Sequence, residues 1–214
     1  MSALDIPLCL FAKAPVAGKV KKRLCPPLDF EQAAQVATAL LAHAIEQVEN
    51  GWLGQCTLCA TPDLSHPDFD KVLHQSNWQT STQVNSDLGG RMQVALVAGV
   101  EQAGAGAVLG TDIPAINQAI LKQAYLALKA GKHVLGPTED GGFYFLGVQT
   151  MPEALFKDIE WGESTVRAQL LDNARALGMD FERLPMLPDC DVYADLQRAI
   201  QEVPAFGLRL DSIG

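Results

Sequence analysis

Residues 5–24, DIPLCLFAKAPVAGKVKKRL, are the stretch of sequence that decides the fold. Residues 5–13 form an apolar run of strand length, which predicts a buried β-strand that enters a loop containing proline and glycine. A helix is expected next, because Asp29 and Gln32 have the spacing of a capping box and apolar residues then recur with helical periodicity. A buried strand, a loop and a helix in this order are typical of an α/β fold.

The rest of the chain repeats this alternation. The pattern predicts strands at residues 54–61, 78–84, 107–110, 132–136 and 143–148, and helices at residues 88–102, 117–130 and 164–177, followed by a short strand and a final helix. Strands that alternate with helices indicate a mostly parallel sheet flanked by helices. Because no linker, repeat or low-complexity segment interrupts the pattern, we expect an α/β fold with a single domain over residues 1–214.

The composition restricts the class of protein. The 214 residues are 48% hydrophobic and 19% charged, which is ordinary for a soluble globular protein. The formal net charge of −9 argues against a nucleic-acid interface, since phosphate binding over a wide surface needs clustered positive charge. No apolar stretch approaches about 20 residues and the start lacks the pattern of a signal peptide, so neither a membrane span nor export is expected.

The five cysteines are an odd number, and we expect them to be reduced thiols in a cytoplasmic protein. Cys56 and Cys59 have the C-x-x-C spacing of a metal or redox pair. They fall in a predicted strand, where residues three apart point to opposite faces. Two buried thiols are therefore favoured over a zinc or redox site.

The loop after the first strand carries an unusual local charge. Five of the 16 lysine and arginine residues lie between positions 13 and 23, and no Asp or Glu occurs between Asp5 and Asp29. The loop matches neither GxxxxGK[ST] nor GxGxxG, but Gly18 permits close backbone approach to a ligand. The candidates for binding a phosphate oxyanion are Lys13, Lys19 and Arg23. Lys21 and Lys22 are expected to be solvated.

Two carboxylates follow other predicted strands. Asp112 comes directly after residues 107–110, and Asp140 follows residues 132–136. Ligands of open α/β sheets bind outside the carboxyl ends of the strands, so both should lie on the same edge as the basic loop. A divalent metal on Asp112, with Asp140 as a second ligand, is expected, because Mg²⁺ uses one or two carboxylates plus substrate phosphates. The alternatives are an Asp that caps the next turn and a plain β-turn at Asp-Gly-Gly.

Two further segments allow alternatives. Asp87 is a candidate N-cap for the helix that follows, and Arg91, one turn in, could bind either a phosphate or a structural carboxylate. Residues 189–191 spell D-x-D before the last helix, where a cap or turn is favoured and a metal ligand comes second. The chain contains neither HExxH nor G-x-S-x-G, which argues against a zinc hydrolase and an α/β-hydrolase.

Several motifs occur in an order that resembles a known family. They are K-A-P-V-A-G-K-V-K-K-R-L (13–24), D-L-G-G-R-M (87–92), G-T-D-I-P (110–114), G-P-T-E-D-G-G-F-Y-F-L-G (136–147) and W-G-E-S-T-V (161–166). Together they resemble the bacterial family of uncharacterised GT-A-like transferases known as nucleotide-diphospho-sugar transferases. That family is related to the phospholactate guanylyltransferases. The motifs extend over most of the chain.

The resemblance implies a GT-A fold, a Rossmann-like sheet that binds a nucleotide at its edge. It implies a nucleotide-binding set of Lys13, Gly18, Lys19, Arg23, Asp87 and Arg91. It implies Asp112 as the main metal ligand. On the acceptor side it places Asp140, Gly141 and Gly142. Two positions depart from the family pattern, because Lys22 stands where the family has Thr and Ser86 stands where it has Gly. The D-x-D of many metal-dependent glycosyltransferases is also absent at Asp112.

These motifs lead to a functional hypothesis. We expect an enzyme that transfers a group from a nucleotide-activated donor, a nucleotide-diphospho-sugar, to an unidentified small-molecule acceptor. Mg²⁺ or Mn²⁺ on Asp112 and Asp140, together with Lys19 and Arg23, would stabilise the charge that develops on the leaving diphosphate. Two alternatives stay open. One is a guanylyltransferase-like nucleotidyltransferase that moves NMP from an NTP to a small phosphorylated acceptor, and the other is a regulatory module that binds nucleotide without turnover.

Overall fold

The computed structural model describes residues 5–73 and 77–211. Its strands are β1 (Leu8–Lys13), β2 (Cys56–Thr61), β3 (Trp78–Thr82), β4 (Gly106–Gly110), β5 (His133–Pro137), β6 (Phe143–Val148) and β7 (Phe181–Arg183). Its α-helices are α1 (Phe30–Gly51), α2 (Asp70–Leu73), α3 (Leu88–Ala103), α4 (Gln118–Lys129), α5 (Val166–Ala176), α6 (Tyr193–Glu202) and α7 (Pro204–Asp211). Short 3-10 helices occur at Lys22–Leu24, Pro67–Phe69 and Glu153–Phe156.

The seven strands form one mixed sheet in the order β3-β2-β1-β4-β6-β5-β7. Strand β6 is antiparallel to its neighbours β4 and β5, whereas the other neighbouring strands are parallel. This arrangement confirms the expected α/β fold with a mostly parallel sheet. It also brings the carboxyl ends of β1, β4 and β5 to the same edge, because all three strands run in the same direction.

Helices cover the two faces of the sheet because alternate strand residues point to opposite sides. Leu8 and Leu10 of β1 pack with apolar residues of α1 and α4 in one buried cluster. Phe11 of β1 packs on the opposite face, in a cluster that contains apolar residues of α3 and α5. The alternation in the sequence therefore yields three layers, with the sheet in the middle.

A third cluster fixes the C-terminal part of the chain against the basic loop. Leu24, at the end of the loop, and Cys190 are both fully buried beside apolar residues of α1, α6 and α7. Because these two residues share one core, the segment before α6 lies next to the loop that follows β1.

The predicted elements match the observed ones, with differences at the ends. Helix α1 begins after Asp29, whose side chain accepts from the Gln32 amide while the Gln32 side chain accepts from the Asp29 amide, so the predicted capping box is present. The first strand begins at Leu8 rather than at residue 5, and the expected final helix is two helices, α6 and α7. The chain bends between them at Val203, just before Pro204, since a proline disfavours the α conformation of the preceding residue.

None of the helices in residues 5–73 and 77–211 is long and apolar enough to cross a membrane. All five cysteines are free thiols, and Cys56 and Cys59 are both buried in β2. Ser81 donates a hydrogen bond to the Cys59 sulfur at 3.3 Å. The buried-thiol interpretation of this pair is confirmed.

Candidate functional site

An open cavity of about 540 Å³ lies at the edge of the sheet where β1, β4 and β5 end. Cationic side chains of the basic loop form one part of its lining: Lys13, Lys19, Lys21, Lys22 and Arg23. Carboxylates form another part: Asp112, Asp140, Asp189 and Asp191. The cavity also contains apolar side chains from the sheet and from α3: Phe11, Leu88, Met92 and Phe143. Residues from five segments of the chain, far apart in sequence, therefore meet in one place.

Hydrogen bonds to β2 and within the loop hold the basic loop in place. The Ala14 amide donates to the Thr61 carbonyl at 2.8 Å, and the Lys19 amide donates to the Val16 carbonyl at 2.9 Å. Gly18 has φ +71°, a conformation that favours glycine. The Lys13 ammonium donates to the Lys19 carbonyl at 2.8 Å. Lys13 thus closes the loop, while the exposed Lys19 side chain faces the cavity.

Lys21 is not solvated, and the expectation for this residue is wrong. Its side chain is 8% exposed, and its ammonium lies 2.7 Å from Asp112 Oδ1 and 3.1 Å from Asp191 Oδ1. It also donates to the Cys190 carbonyl at 2.9 Å. Burial opposes the charged form, but the two carboxylates outweigh burial and raise the pKa of Lys21. The exposed Lys22 side chain agrees with the expectation.

Asp191 binds the loop rather than capping a helix. Its second oxygen, Oδ2, accepts from Arg23 Nη1 at 3.1 Å, while the Arg23 side chain is 71% exposed. The start of α6 is capped instead by Asp195, whose carboxylate accepts from the Asp191 and Val192 amides. Asp191 is therefore not a cap of α6, one of the two roles favoured for residues 189–191, and it belongs to the lining of the cavity.

Asp112 is placed by the turn that follows β4. Its carbonyl accepts from the Cys190 amide at 2.9 Å, so the backbone itself joins this turn to the segment before α6. Its side chain is 54% exposed and faces the cavity with one oxygen on Lys21. The predicted position beside the basic loop is confirmed.

Asp140 is oriented by the turn between β5 and β6. Its Oδ1 accepts from the buried Thr138 hydroxyl at 2.5 Å and from the Gly142 amide at 2.9 Å. Arg167 of α5 donates to the Thr138 carbonyl at 2.6 Å, and its amide donates to the Gly141 carbonyl at 2.9 Å. One carboxylate oxygen is thus held inside the turn, and the turn is fixed from outside by α5.

The W-G-E-S-T segment, for which the sequence suggested no role, supports two of the other motifs. A Cβ on Gly141 would lie 1.9 Å from the Ser164 carbonyl oxygen, and a Cβ on Gly89 would lie 2.5 Å from the Trp161 ring. The Trp161 ring also contacts Phe143, with centroids 6.5 Å apart. Residues 161–165 therefore pack directly on Gly89 and Gly141, which explains the glycine at each of these two positions.

Asp87 and Arg91 hold the loop before α3. Asp87 is the N-cap, as expected, and its side chain accepts from the Gly90 amide at 2.7 Å. Arg91 Nε donates to the Ser86 carbonyl at 2.7 Å, and Arg91 Nη1 donates to Gln83 Oε1 at 3.4 Å. Neither residue lines the cavity. Arg91 thus donates to a carbonyl and to an amide oxygen rather than to a structural carboxylate, and a nucleotide contact of these residues stays a prediction.

The acidic part of the cavity is the feature that sequence reasoning undervalued. Burial, followed by the carboxylate of Asp140 and then that of Asp191, raises the pKa of Asp189 to about 6. The D-x-D at residues 189–191 was the available signal, but such a short match is frequent by chance. Its significance depends on the third cluster, which places these residues opposite the basic loop.

The carboxylates fit a divalent cation in number and chemistry. Among residues 5–73 and 77–211, no group of three or more His, Cys, Asp or Glu side chains is arranged to hold a metal ion. Two carboxylates with phosphate oxygens suffice for Mg²⁺, which prefers oxygen ligands. Asp112 and Asp191 already share one cationic partner, the Lys21 ammonium, which shows that both carboxylates converge on a point of positive charge.

Comparison with known proteins identifies the family of this chain. Residues 32–163 match the model of a family described as an uncharacterised protein conserved in bacteria, DUF2064. Since this match covers well over half of the sequence, the chain belongs to the DUF2064 family. No curated protein sequence matches the chain at a significant level.

Solved structures show the same fold. A protein from Desulfovibrio desulfuricans G20, provisionally assigned as a nucleotide-diphospho-sugar transferase, superposes with a TM-score of 0.78 at 23% identity, over 94% of this chain and 97% of that chain. A cytidylyltransferase from Leptospira borgpetersenii superposes with a TM-score of 0.54 at 13% identity, over 95% of this chain and 96% of that chain. A CMP-2-keto-3-deoxy-manno-octonic acid synthetase in complex with CTP superposes with a TM-score of 0.54 at 9% identity, over 92% of this chain and 97% of that chain. These neighbours confirm the fold that was expected from the resemblance.

Proposed function

We propose that this chain is a metal-dependent transferase that takes its group from a nucleotide-activated donor, a nucleotide-diphospho-sugar. One observation carries the proposal: cationic side chains of the basic loop and carboxylates from three other segments line the same cavity at the carboxyl ends of the strands. A diphosphate that binds with a divalent cation needs both kinds of group. The fold shared with the Desulfovibrio protein supports the same conclusion.

The basic loop would bind the diphosphate. Lys19 and Arg23 present exposed charged side chains to the cavity, and Gly18 lets the loop backbone turn without a Cβ. Lys13 would act on the loop conformation, because its ammonium is bound to the Lys19 carbonyl. As the leaving diphosphate gains charge, Lys19 and Arg23 would stabilise it electrostatically.

The carboxylates would hold the metal. Asp112 is the proposed main ligand, with either Asp140 or Asp191 as the second; Asp191 is a candidate because it shares the Lys21 ammonium with Asp112. When bound, Mg²⁺ or Mn²⁺ would neutralise the negative charge that develops on the leaving group. Asp140 would also face the acceptor, beside Gly142 and the half-buried Phe143 ring.

The proposal is tested by calorimetric titration of nucleotides and nucleotide sugars in the presence of Mn²⁺. We expect binding of at least one such ligand to the natural protein and its loss in Asp112→Asn. Asp172→Asn is the matched control, since Asp172 is an exposed carboxylate on α5 that pairs with Arg175. If no nucleotide or nucleotide sugar binds with metal, the proposed function is wrong.

Nucleotidyl transfer is the second candidate, favoured by the fold shared with the cytidylyltransferase and with the CTP-bound synthetase. The products distinguish the two reactions. Transfer of NMP from an NTP releases pyrophosphate, whereas transfer of a sugar from a nucleotide-diphospho-sugar releases a nucleoside diphosphate. Nucleotide binding without either product would instead identify a binding module that lacks turnover.

A further inference from the structure

Lys21 is a buried cation enclosed by acceptors from other parts of the chain. Its ammonium contacts Asp112, Asp191 and the Cys190 carbonyl at 2.7–3.1 Å, and its side chain is 8% exposed. An ammonium taken out of water is stable only when it is paired and hydrogen-bonded. Here two carboxylates supply the pairing, so the lysine stays charged and the two carboxylates are partly neutralised.

A purely structural role does not account for this charge. The Cys190 amide already donates to the Asp112 carbonyl, and Arg23 already pairs with Asp191. Leu24 and Cys190 also share a buried apolar cluster. The loop and the segment before α6 are therefore joined without Lys21. What Lys21 adds is a positive charge between two carboxylates.

A divalent cation bound to both carboxylates would place its positive charge at the position of the Lys21 ammonium. A metal ion and an ammonium cannot both occupy it, because like charges repel strongly at such short distances. The diphosphate of a nucleotide would bring new negative charge to the cavity that Lys21 lines. A displaced ammonium would then have an alternative partner.

We infer that Lys21 is a positioning residue that competes with the divalent cation for Asp112 and Asp191, so that metal alone binds weakly and metal with nucleotide binds strongly. The part that concerns nucleotide rests on the proposed function. The competition itself concerns the protein and the metal alone. Lys21 thereby couples metal binding to donor binding, and such coupling typically changes affinity about 5–150-fold.

The first test is calorimetric titration with Mn²⁺ alone. We expect Lys21→Met to bind Mn²⁺ at least about fivefold more tightly than the natural protein, the lower end of typical coupling. Lys157→Met is the matched control, because it removes the same charge from an exposed residue outside the lining of the cavity. Its affinity should stay close to that of the natural protein. Adding Asp191→Asn to Lys21→Met should abolish the gain. Equal or weaker Mn²⁺ binding by Lys21→Met overturns the inference.

The second test uses the natural protein and does not depend on how a variant folds. Acylation of lysines by an N-hydroxysuccinimide ester is followed by mass spectrometry with and without Mn²⁺. Labelling of Lys21 should rise when Mn²⁺ releases its ammonium, whereas labelling of Lys22 should not change. Saturation with Mn²⁺ and no change at Lys21 would show that metal and ammonium do not compete.

The two proposals can fail separately. In the natural protein a nucleotide should tighten Mn²⁺ binding, and in Lys21→Met this effect should be smaller, because phosphate oxygens still bind the metal but no ammonium has to be displaced. If Mn²⁺ competes with Lys21 but no nucleotide binds, the proposed function fails and the competition stands. If a nucleotide tightens Mn²⁺ binding by the same factor in both proteins, the coupling role of Lys21 is wrong while the proposed function stands.

Discussion

The turn that presents Asp140 provides a demanding test of the site. Gly141 has φ +96°, and a Cβ there would lie 1.9 Å from the Ser164 carbonyl oxygen, which is backbone and cannot rotate away. Gly141→Ala should therefore force the E-D-G-G turn and the start of α5 apart. Both the stability of the chain and the orientation of Asp140 should change.

The magnitude follows from two contributions. A non-glycine residue in the left-handed region costs about 1–2 kcal/mol. Forcing an extra methyl group against packed backbone costs about 1–3 kcal/mol more. We therefore expect Gly141→Ala to lower the free energy of unfolding by about 2–5 kcal/mol, and for a chain of this size each kcal/mol lowers Tm by about 2–4 °C.

The control separates the two contributions. Gly131 has φ +80°, but a Cβ there meets nothing within 4 Å. Gly131→Ala should lower the free energy of unfolding only by the conformational contribution, about 1–2 kcal/mol. Urea denaturation followed by circular dichroism gives both values. If the two variants differ by less than about 0.5 kcal/mol, contact with Ser164 does not shape the turn.

Three further outcomes are expected. Asp189→Asn should raise Tm at pH 8 but not at pH 4, when Tm is measured in the presence of a chelator. The pKa of Asp189 in the folded protein, about 6, lies above its usual value, so the ionised carboxylate destabilises the folded protein as the pH rises. A gain in Tm at pH 4 as large as at pH 8 would contradict this. Asp29→Ala removes the N-cap of α1 and should lower the free energy of unfolding, measured by urea denaturation, by about 1 kcal/mol. An unchanged denaturation midpoint would count against the capping box. Gly89→Ala should shift tryptophan fluorescence, since its methyl group would displace the Trp161 ring, whereas Gly104→Ala, in open space, should leave the emission maximum unchanged.

Much of the fold follows from local patterns. Helix α1 was predicted from Asp29 and Gln32, and both residues make the expected reciprocal hydrogen bonds. The strands that end at Lys13 and Gly110 were predicted from short apolar runs, and the parallel direction of β1 and β4 then places Asp112 beside the basic loop. These features depend on neighbours a few residues away, which is why the sequence reveals them.

The less successful predictions concern partners that are far away along the chain. Lys21 looks like one of several solvated lysines, yet Cys190 and Asp191 lie 169 and 170 residues further on, and its third acceptor, Asp112, is also distant along the chain. Charge and spacing do not distinguish Lys21 from Lys22, although only Lys22 departs from the family pattern. The same is true of Asp191, which resembles a cap when only α6 is considered and lines the cavity when the basic loop is packed beside it.

The sequence alone therefore determined the α/β architecture, the common edge of β1, β4 and β5, and the placing of a basic loop beside Asp112 and Asp140. Only the tertiary structure decided which charges are paired, which are exposed, and that Asp189 and Asp191 join the site. The physical reason is that helix and strand patterns arise from local backbone periodicity. The burial and pairing of a charge instead depend on which distant segments the core brings together.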